Sequence, residues 1–470
     1  MSKVTVLLAA AEVGSAGNPS LEAKMRSSSA LPPGPSMPAV SQLLGFWTRP
    51  LAFMDRCRER YGKRFTLRLP GEAPFVMLAD PEEVKQVFTS PPDVLRPGEG
   101  AKVLEPIVGR HSVLLLDEDA HMEQRKLMLP AFHGERMERL TGLMEEVTAE
   151  EVAAIPRGVP LALHPHTQDL TLKIILRAVF GVDPGARFDA LRERLQAMLE
   201  FGDRPISLVP PKPESRVARL AERVGPFARF LRMQEEVDAL IFPLIAERRA
   251  SGAERDDVLA MLLEASHEDG SPMSEQEIRD ELMTLLIAGH ETTASTLAWA
   301  FERLVREPAV LARLTAAVDA GEEDYVTATI QETLRDRPVL PTAAPRLVAK
   351  PVTIGGWDYR PGPALVANAY LIHHDPEIYP DPHAFRPERF LGQKPGTYTW
   401  IPFGGGRRRC LGSSFAMLEM KVVLDALLGS CELQATGEGV EVAQRRNITV
   451  RPARGGRVVL GERERVPVAG

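Results

Sequence analysis

The longest periodic stretch of the chain begins at Ser274. Ile278, Leu282, Leu285, Thr292, Thr296, Ala300 and Leu304 follow at helical spacing, and Glu307-Pro308 stops the run. Ser274 with Glu277 three residues on is a capping-box signature. The pattern predicts a helix of about 33 residues, roughly 50 Å long at 1.5 Å per residue. Shorter amphipathic patterns predict helices over Asp119 to Met128 (stopping at Pro130), Glu135 to Ala154, Ala186 to Phe201, and Phe227 to Arg249 with a kink at Pro243. The run SSFAMLEMKVVLDALL after Cys410 predicts one more. Strand-like stretches are short and lie towards the ends: Arg64 to Leu69, Phe75 to Leu78, Val352 to Ile354, Ile448 to Val450 and Val458 to Val459. The fold class is therefore mainly α (α+β), a large helical body with small β-sheets.

Composition narrows this picture. Of 470 residues, 44% are hydrophobic, ample for a large core. No repeat or low-complexity linker divides the chain, so residues 31–470 read as one domain. The strip ALPPGPSMP (Ala30 to Pro38) cannot be helix and marks where the folded body begins. Residues 1–30 read as a leader, disordered in this reading. Within it VTVLLAAAEV is apolar, but Glu12 interrupts it and a span needs ~20 apolar residues, so no transmembrane anchor is expected. The net charge of −7 argues against nucleic-acid binding. The three cysteines, Cys57, Cys410 and Cys431, form no disulfide framework, and a reducing cytoplasm is expected.

Two stretches break the local rules. AGHETT, Ala288 to Thr293, puts a glycine, a histidine, a carboxylate and two β-branched hydroxyls inside the long helix. Gly costs about 1 kcal/mol against Ala there. Such conflicts tend to mark functional sites, although close packing of a neighbouring helix at Gly289 explains part of it. The second is FGGGRRRCLG, Phe403 to Gly412. Cys410 precedes a predicted helix N-terminus and follows Arg407, Arg408 and Arg409, all of which favour a thiolate. A thiolate is a nucleophile or a metal ligand, and no sequence cue supplies the base that a nucleophile needs. A ligand beneath a flat macrocycle explains the glycines, and the macrocycle's carboxylates explain the arginines.

Phe403, Gly406, Arg408, Cys410 and Gly412 match F-x-x-G-x-R-x-C-x-G, and here the chain resembles the cytochrome P450 superfamily. AGHETT is similar to the family's oxygen-binding stretch, Glu332 to Arg335 to its E-x-x-R, and Phe385, Pro387, Arg389 and Phe390 to its F-x-P-x-R-F. The resemblance runs from Leu31 to the end, and LPPGP is similar to the family's proline-rich hinge. It implies the cytochrome P450 fold and haem b with Cys410 as the axial thiolate. It places Phe403 near the sulfur and Ala288 and Gly289 against the cofactor. His121, Arg125, Arg346 and Arg408 fall on propionate-binding positions. Glu332, Arg335 and Arg389 form a structural triad. Glu291 and Thr292 fit the acid–alcohol pair that guides protons. His290 takes no role.

The implied activity is a monooxygenase that puts one oxygen atom of O2 into an apolar small molecule. A haem-binding sensor or carrier without turnover is the alternative, and the Glu291–Thr292 pair favours the enzyme. No flavin or reductase segment is visible, so a separate ferredoxin or flavodoxin-type donor and its reductase are expected. Arg407, Arg409 and Lys421 are expected to be free for that acidic partner. The pocket is expected to draw on Arg96 to Ser112, Phe201 to Pro211, the long helix before Gly289, and Val339 to Thr342. FHGERM and ILRAVFG are similar to a bacterial branch that oxidises fatty acids and terpenes, and Arg96, Lys102 or Arg110 are candidates to meet a carboxylate.

Overall fold

A computed structural model of the protein describes residues 31–132, 135–202, 225–252 and 255–463. The leader and most of the expected pocket segment ending at Pro211 lie outside the described residues. The helices that position the site are α1 (Ala39–Thr48), α2 (Glu118–Met128), α3 (Leu163–Ala178), α4 (Glu275–Leu304), α5 (Glu323–Asp336) and α6 (Ser413–Ser430). The strands are β1 (Arg64–Leu67), β2 (Phe75–Leu78), β3 (Leu95–Arg96), β4 (Arg346–Val348), β5 (Ala364–Ala367), β6 (Ala443–Arg446) and β7 (Thr449–Pro452).

The central helix α4 starts as its sequence says. The Ser274 hydroxyl accepts from the Glu277 amide at 3.2 Å, and Glu277 accepts from the Ser274 amide at 2.8 Å. It ends at Leu304, three residues before Glu307, because Pro308 already serves as the first residue of the next helix. The helix expected over Phe227 to Arg249 spans Pro226–Ser251 with Pro243 inside it. The expected Asp119 helix continues past Met128 as a 3-10 turn over Leu129–Phe132.

Tertiary pairing supplies what periodicity misses. Strands β1 to β5 form one sheet in the order β1-β2-β5-β4-β3. Only β2 and β5 pair in parallel, with Phe75 opposite Ala364. Strands β3 and β4 are too short to read from sequence, yet β4 fixes Arg346 at its first position. The expected strand at Ile448 to Val450 is one arm of the β6–β7 hairpin, with Arg446 opposite Thr449.

One large apolar cluster joins α3, α4 and α6, including Leu170, Ile175, Leu282, Leu297, Leu424 and Leu428. A second packs under the sheet around Phe65, Leu78 and Leu365. Between α3 and α4 runs a polar seam. Thr167 donates to the Ala294 carbonyl at 3.0 Å, and His290 Nδ1 meets the Thr171 hydroxyl at 2.9 Å. His290 is thus a buried packing residue. A Cβ on Gly289 would lie 3.1 Å from Ile175, so the close-packing reading of that glycine holds.

Candidate active site

The loop before α6 is tied at its neck, where the Cys410 amide donates to the Phe403 carbonyl at 3.0 Å. The Phe403 ring packs edge-on against Trp400 at 5.9 Å. Gly406 has φ of +65°, and a Cβ there would lie 2.2 Å from the Phe88 carbonyl oxygen. A Cβ on Gly405 would lie 2.3 Å from the Phe88 ring. These two glycines let the loop lie close against the Pro81–Thr89 helix. Gly412 does face open space.

The Cys410 side chain keeps accessible surface, although protein surrounds it on most sides. That combination belongs to a group lining an internal hollow. The expectation of an intrinsically acidic thiol is overturned. Burial pushes the Cys410 thiol up, and the Gly412 amide, Arg125 and Arg409 only partly offset it. Sequence shows the cations but not the desolvation. A bound metal ion would be needed to draw off the proton.

Around this loop the structure gathers the expected cations. His121 is buried on α2, and Arg125 lies one turn on, close enough to Cys410 for their charges to interact. Arg346 donates to the Val87 carbonyl at 2.9 Å and stacks over Phe88 at 4.8 Å. Arg408 donates to the Val113 carbonyl at 3.1 Å and pairs with Asp117 at 2.8 Å. Burial, then Arg408, Arg125 and Arg346, hold His121 down to about 3. Burial and the neighbouring arginine push Arg346 down to about 10, and burial does the same for Arg408. Asp117 is the carboxylate that acts on both arginines. The cluster therefore has spare capacity for anions.

On α4, Ala288 is exposed while Leu286 and His290 on either side are buried, so this face opens onto a hollow. Gly289 and Thr292 are half-buried beside it. Thr292 donates to the Ala288 carbonyl at 2.6 Å. Glu291 does not join it. Its carboxylate accepts from Gln168 at 2.8 Å, Ser295 at 2.9 Å and Arg446 at 3.0 Å, with His164 at 3.3 Å. Burial alone would raise it, but the His164 bond and the Arg446 charge win and hold it down to about 2. The acid and the alcohol are sequence neighbours whose side chains are bonded to different elements.

The structural triad assembles as expected. Arg335 grips Glu332 with two bonds, 2.7 and 2.9 Å, and both side chains are wholly buried. Arg389 lies 3.5 Å from the same carboxylate. Arg335 also donates to the His373 and Pro382 carbonyls. Lys421 is not free, since Glu323 pairs with it at 2.5 Å, whereas Arg407 and Arg409 are exposed.

Several supporting residues escaped the sequence. Asp117 accepts from the Gly98 and Glu99 amides as well as Arg408. Glu281 of α4 accepts from the Val113 amide at 2.7 Å and Gln124 at 3.0 Å, which seats α2 on the central helix. Glu419 of α6 is fully buried near Thr293, and neither of its oxygens has a hydrogen-bond partner among the described residues. The Thr293 hydroxyl lies beside it without the geometry of a hydrogen bond. An acid inside the apolar run FAMLEM was the one signal for Glu419.

The chain matches the family model described as Cytochrome P450 over residues 31–459. It is 39% identical over 441 residues to cytochrome P450 135B1 of Mycobacterium tuberculosis, covering 92% of each chain. It is 40% identical over 435 residues to cytochrome P450 138 of the same organism, covering 92% of this chain and 97% of that one. Among solved structures it is similar to a retinoic acid-bound cyanobacterial CYP120A1, with a TM-score of 0.78 and 22% identity over 93% of this chain and all of that one. The cytochrome P450DA heme domain also gives a TM-score of 0.78, at 23% identity over 92% of this chain and 98% of the other. The chain therefore belongs to the cytochrome P450 family.

Proposed function

We propose that this cytochrome P450 monooxygenase binds haem b through Cys410 and oxidises an apolar small molecule with electrons from a separate ferredoxin or flavodoxin-type donor. One observation carries the reading: an accessible thiol beside a cluster of buried His121 and Arg346 with half-buried Arg125 and Arg408, and too few carboxylates to balance it. Those donors suit a metal-bearing ring with two propionates. Bound haem supplies the iron at which O2 is reduced and one oxygen atom is passed to substrate.

The chain's own residues do the rest. Arg346 and Arg408 hold carboxylates through charge-assisted bonds. The loop tie from Cys410 to Phe403 fixes the sulfur. Thr292, on the open face of α4, would hold a proton at its hydroxyl for the chemistry that the haem supplies, and Glu291 would resupply protons only when its cage loosens. Exposed Arg407 and Arg409 are the docking cations for an acidic donor, a reading that fails if the first-electron rate of an Arg407→Glu/Arg409→Glu variant matches wild type at low salt. Among the described residues no helix is long and apolar enough to cross a membrane, and the cytoplasm is the proposed location.

The test is spectroscopic. Reduced wild type with CO should give a thiolate-type Soret band and, with a surrogate redox chain, should turn over NAD(P)H. Cys410→Ser should lose both, while Cys57→Ser and Cys431→Ser should keep them. Loss of the band in Cys57→Ser alone sinks the assignment. Spectral binding without product from any substrate would favour the sensor reading.

A further inference from the structure

Two of the cations that the sequence offered to a substrate carboxylate are already engaged. Arg96 pairs with Glu118 at 2.6 Å, and Lys102 with Glu99 at 2.7 Å. Both pairs lie at the loop between β3 and α2, residues 97–117, which contains most of the expected pocket wall. One carboxylate holds the two roots of this loop together. Asp117, the last residue before α2, accepts from the Gly98 amide at 2.8 Å through one oxygen and from the Glu99 amide at 3.0 Å through the other. The oxygen that meets Gly98 also accepts from Arg408 at 2.8 Å. Arg408 holds the second root as well, donating to the Val113 carbonyl at 3.1 Å and to the Leu116 carbonyl.

The seating is close and strained. A Cβ on Gly98 would lie 2.3 Å from the Leu115 carbonyl oxygen, and one on Gly100 would lie 2.0 Å from that of Pro345, the residue before Arg346. Glu118 follows Asp117 with φ of +53°, a left-handed conformation that costs a residue with a Cβ about 1–2 kcal/mol. Such strain persists only where the surroundings fix it, and it clusters at functional sites. Between its roots the loop reaches the central helix. The His111 amide donates to Asp280 at 3.1 Å, and the Thr284 hydroxyl donates to that of Ser112 at 2.7 Å. Thr284 lies about one turn before Ala288 on α4. A continuous path of bonds thus runs from Arg408, a propionate-binding candidate, through Asp117 and the loop to the helix face that opens onto the hollow.

We propose that Asp117 is a positioning residue that couples haem binding to the order of the pocket loop. The inference rests on the haem-binding reading of the same site and adds a regulation to it. Arg408, once it holds a propionate through charge-assisted bonds, keeps the Asp117 carboxylate in place. Asp117 in turn keeps the Gly98 and Glu99 amides, so both roots of the loop stiffen together. With a ring that lacks carboxylates, Arg408 stays mobile, and the loop with it.

The experiment measures backbone hydrogen exchange of the full chain loaded with haem or with haem dimethyl ester, the same ring with its carboxylates masked. In wild type the amides of residues 98–112 should exchange about 5-fold or more slowly with haem than with the ester, the lower end of coupling between linked sites. Amides of β2 and β5 should exchange alike with both. Asp117→Ala should erase the difference between the two rings, and Asp117→Asn, which keeps an acceptor without the charge, should erase most of it. If Asp117→Ala does not fold, Asp117→Asn decides, and if the ester does not load, the haem-free chain takes its place. A merely structural Asp117 would speed exchange by the same factor with either ring, and that result overturns the proposal. Equal exchange of residues 98–112 in wild type with haem and with ester overturns it too. A normal CO band with no such difference sinks this inference alone, whereas a missing band sinks the reading beneath it.

Discussion

Arg446 reaches across from the β6–β7 hairpin to Glu291 on α4, 3.0 Å away, and ties a surface hairpin to the reactive stretch of the central helix. The pair is nearly closed off from solvent, with the arginine side chain 7% and the glutamate 16% exposed.

Removing Arg446 should therefore cost stability in a pH-dependent way. Glu291 is held at about 2, below its ordinary 4.5. A depressed carboxylate contributes stability that is full above its unfolded value and is lost as pH falls towards its folded one. Arg446→Met should be less stable than wild type at pH 7 by about 3 kcal/mol, as for one-sided loss of a buried pair. The gap should narrow as pH drops below about 4.5. Urea midpoints across pH 4 to 7 that stay a constant distance apart would show that the pair does not set Glu291.

Thr292→Ala removes a hydroxyl that, among the described residues, bonds only to its own helix, through the Ala288 and Gly289 carbonyls. Folding and haem content should be nearly unchanged. Product formed per NAD(P)H should fall by about tenfold or more, with peroxide rising to match. Equal coupling in variant and wild type would take Thr292 out of the mechanism.

Glu332→Ala should fail earlier, before any chemistry. It strands the wholly buried Arg335 and also removes the acceptor of the Arg386 amide, 2.7 Å away. The expected cost is about 3–5 kcal/mol, with most of the protein recovered without haem. A normal haem-to-protein ratio and an unchanged urea midpoint would contradict the role given to the triad.

Glu419 makes the opposite pH prediction. Burial pushes it up to about 8, so the folded protein keeps it protonated. A raised folded value contributes stability that is full below about pH 4.5 and is lost as pH rises through about 8. Wild-type stability should therefore decline between pH 5 and pH 8, with a slope from this group of at most about 1.4 kcal/mol per unit. Glu419→Gln should reduce that slope. Glu281, also pushed up to about 8, leaves some of it in place. Parallel stability curves for variant and wild type would show that Glu419 is solvated or paired.

The sequence by itself determined the long helix, its capping box, the cysteine loop and the E-x-x-R pair, because each is set by spacing within one short stretch. Ser274 and Glu277 cap the helix they begin, and Glu332 and Arg335 meet one turn apart. Tertiary structure alone decided the electrostatics. Cys410 follows three arginines in sequence, yet burial raises its thiol, since desolvation depends on every element packed around it. Glu291 and Thr292 are neighbours in the chain, but the partners that part them come from α3 and the β6–β7 hairpin, up to 155 residues away. Phe88 leaves no room for a Cβ on Gly405 or Gly406, and Glu323 takes Lys421. Spacing fixes which groups a helix turn presents, while burial and long-range partners fix their charge and their reach.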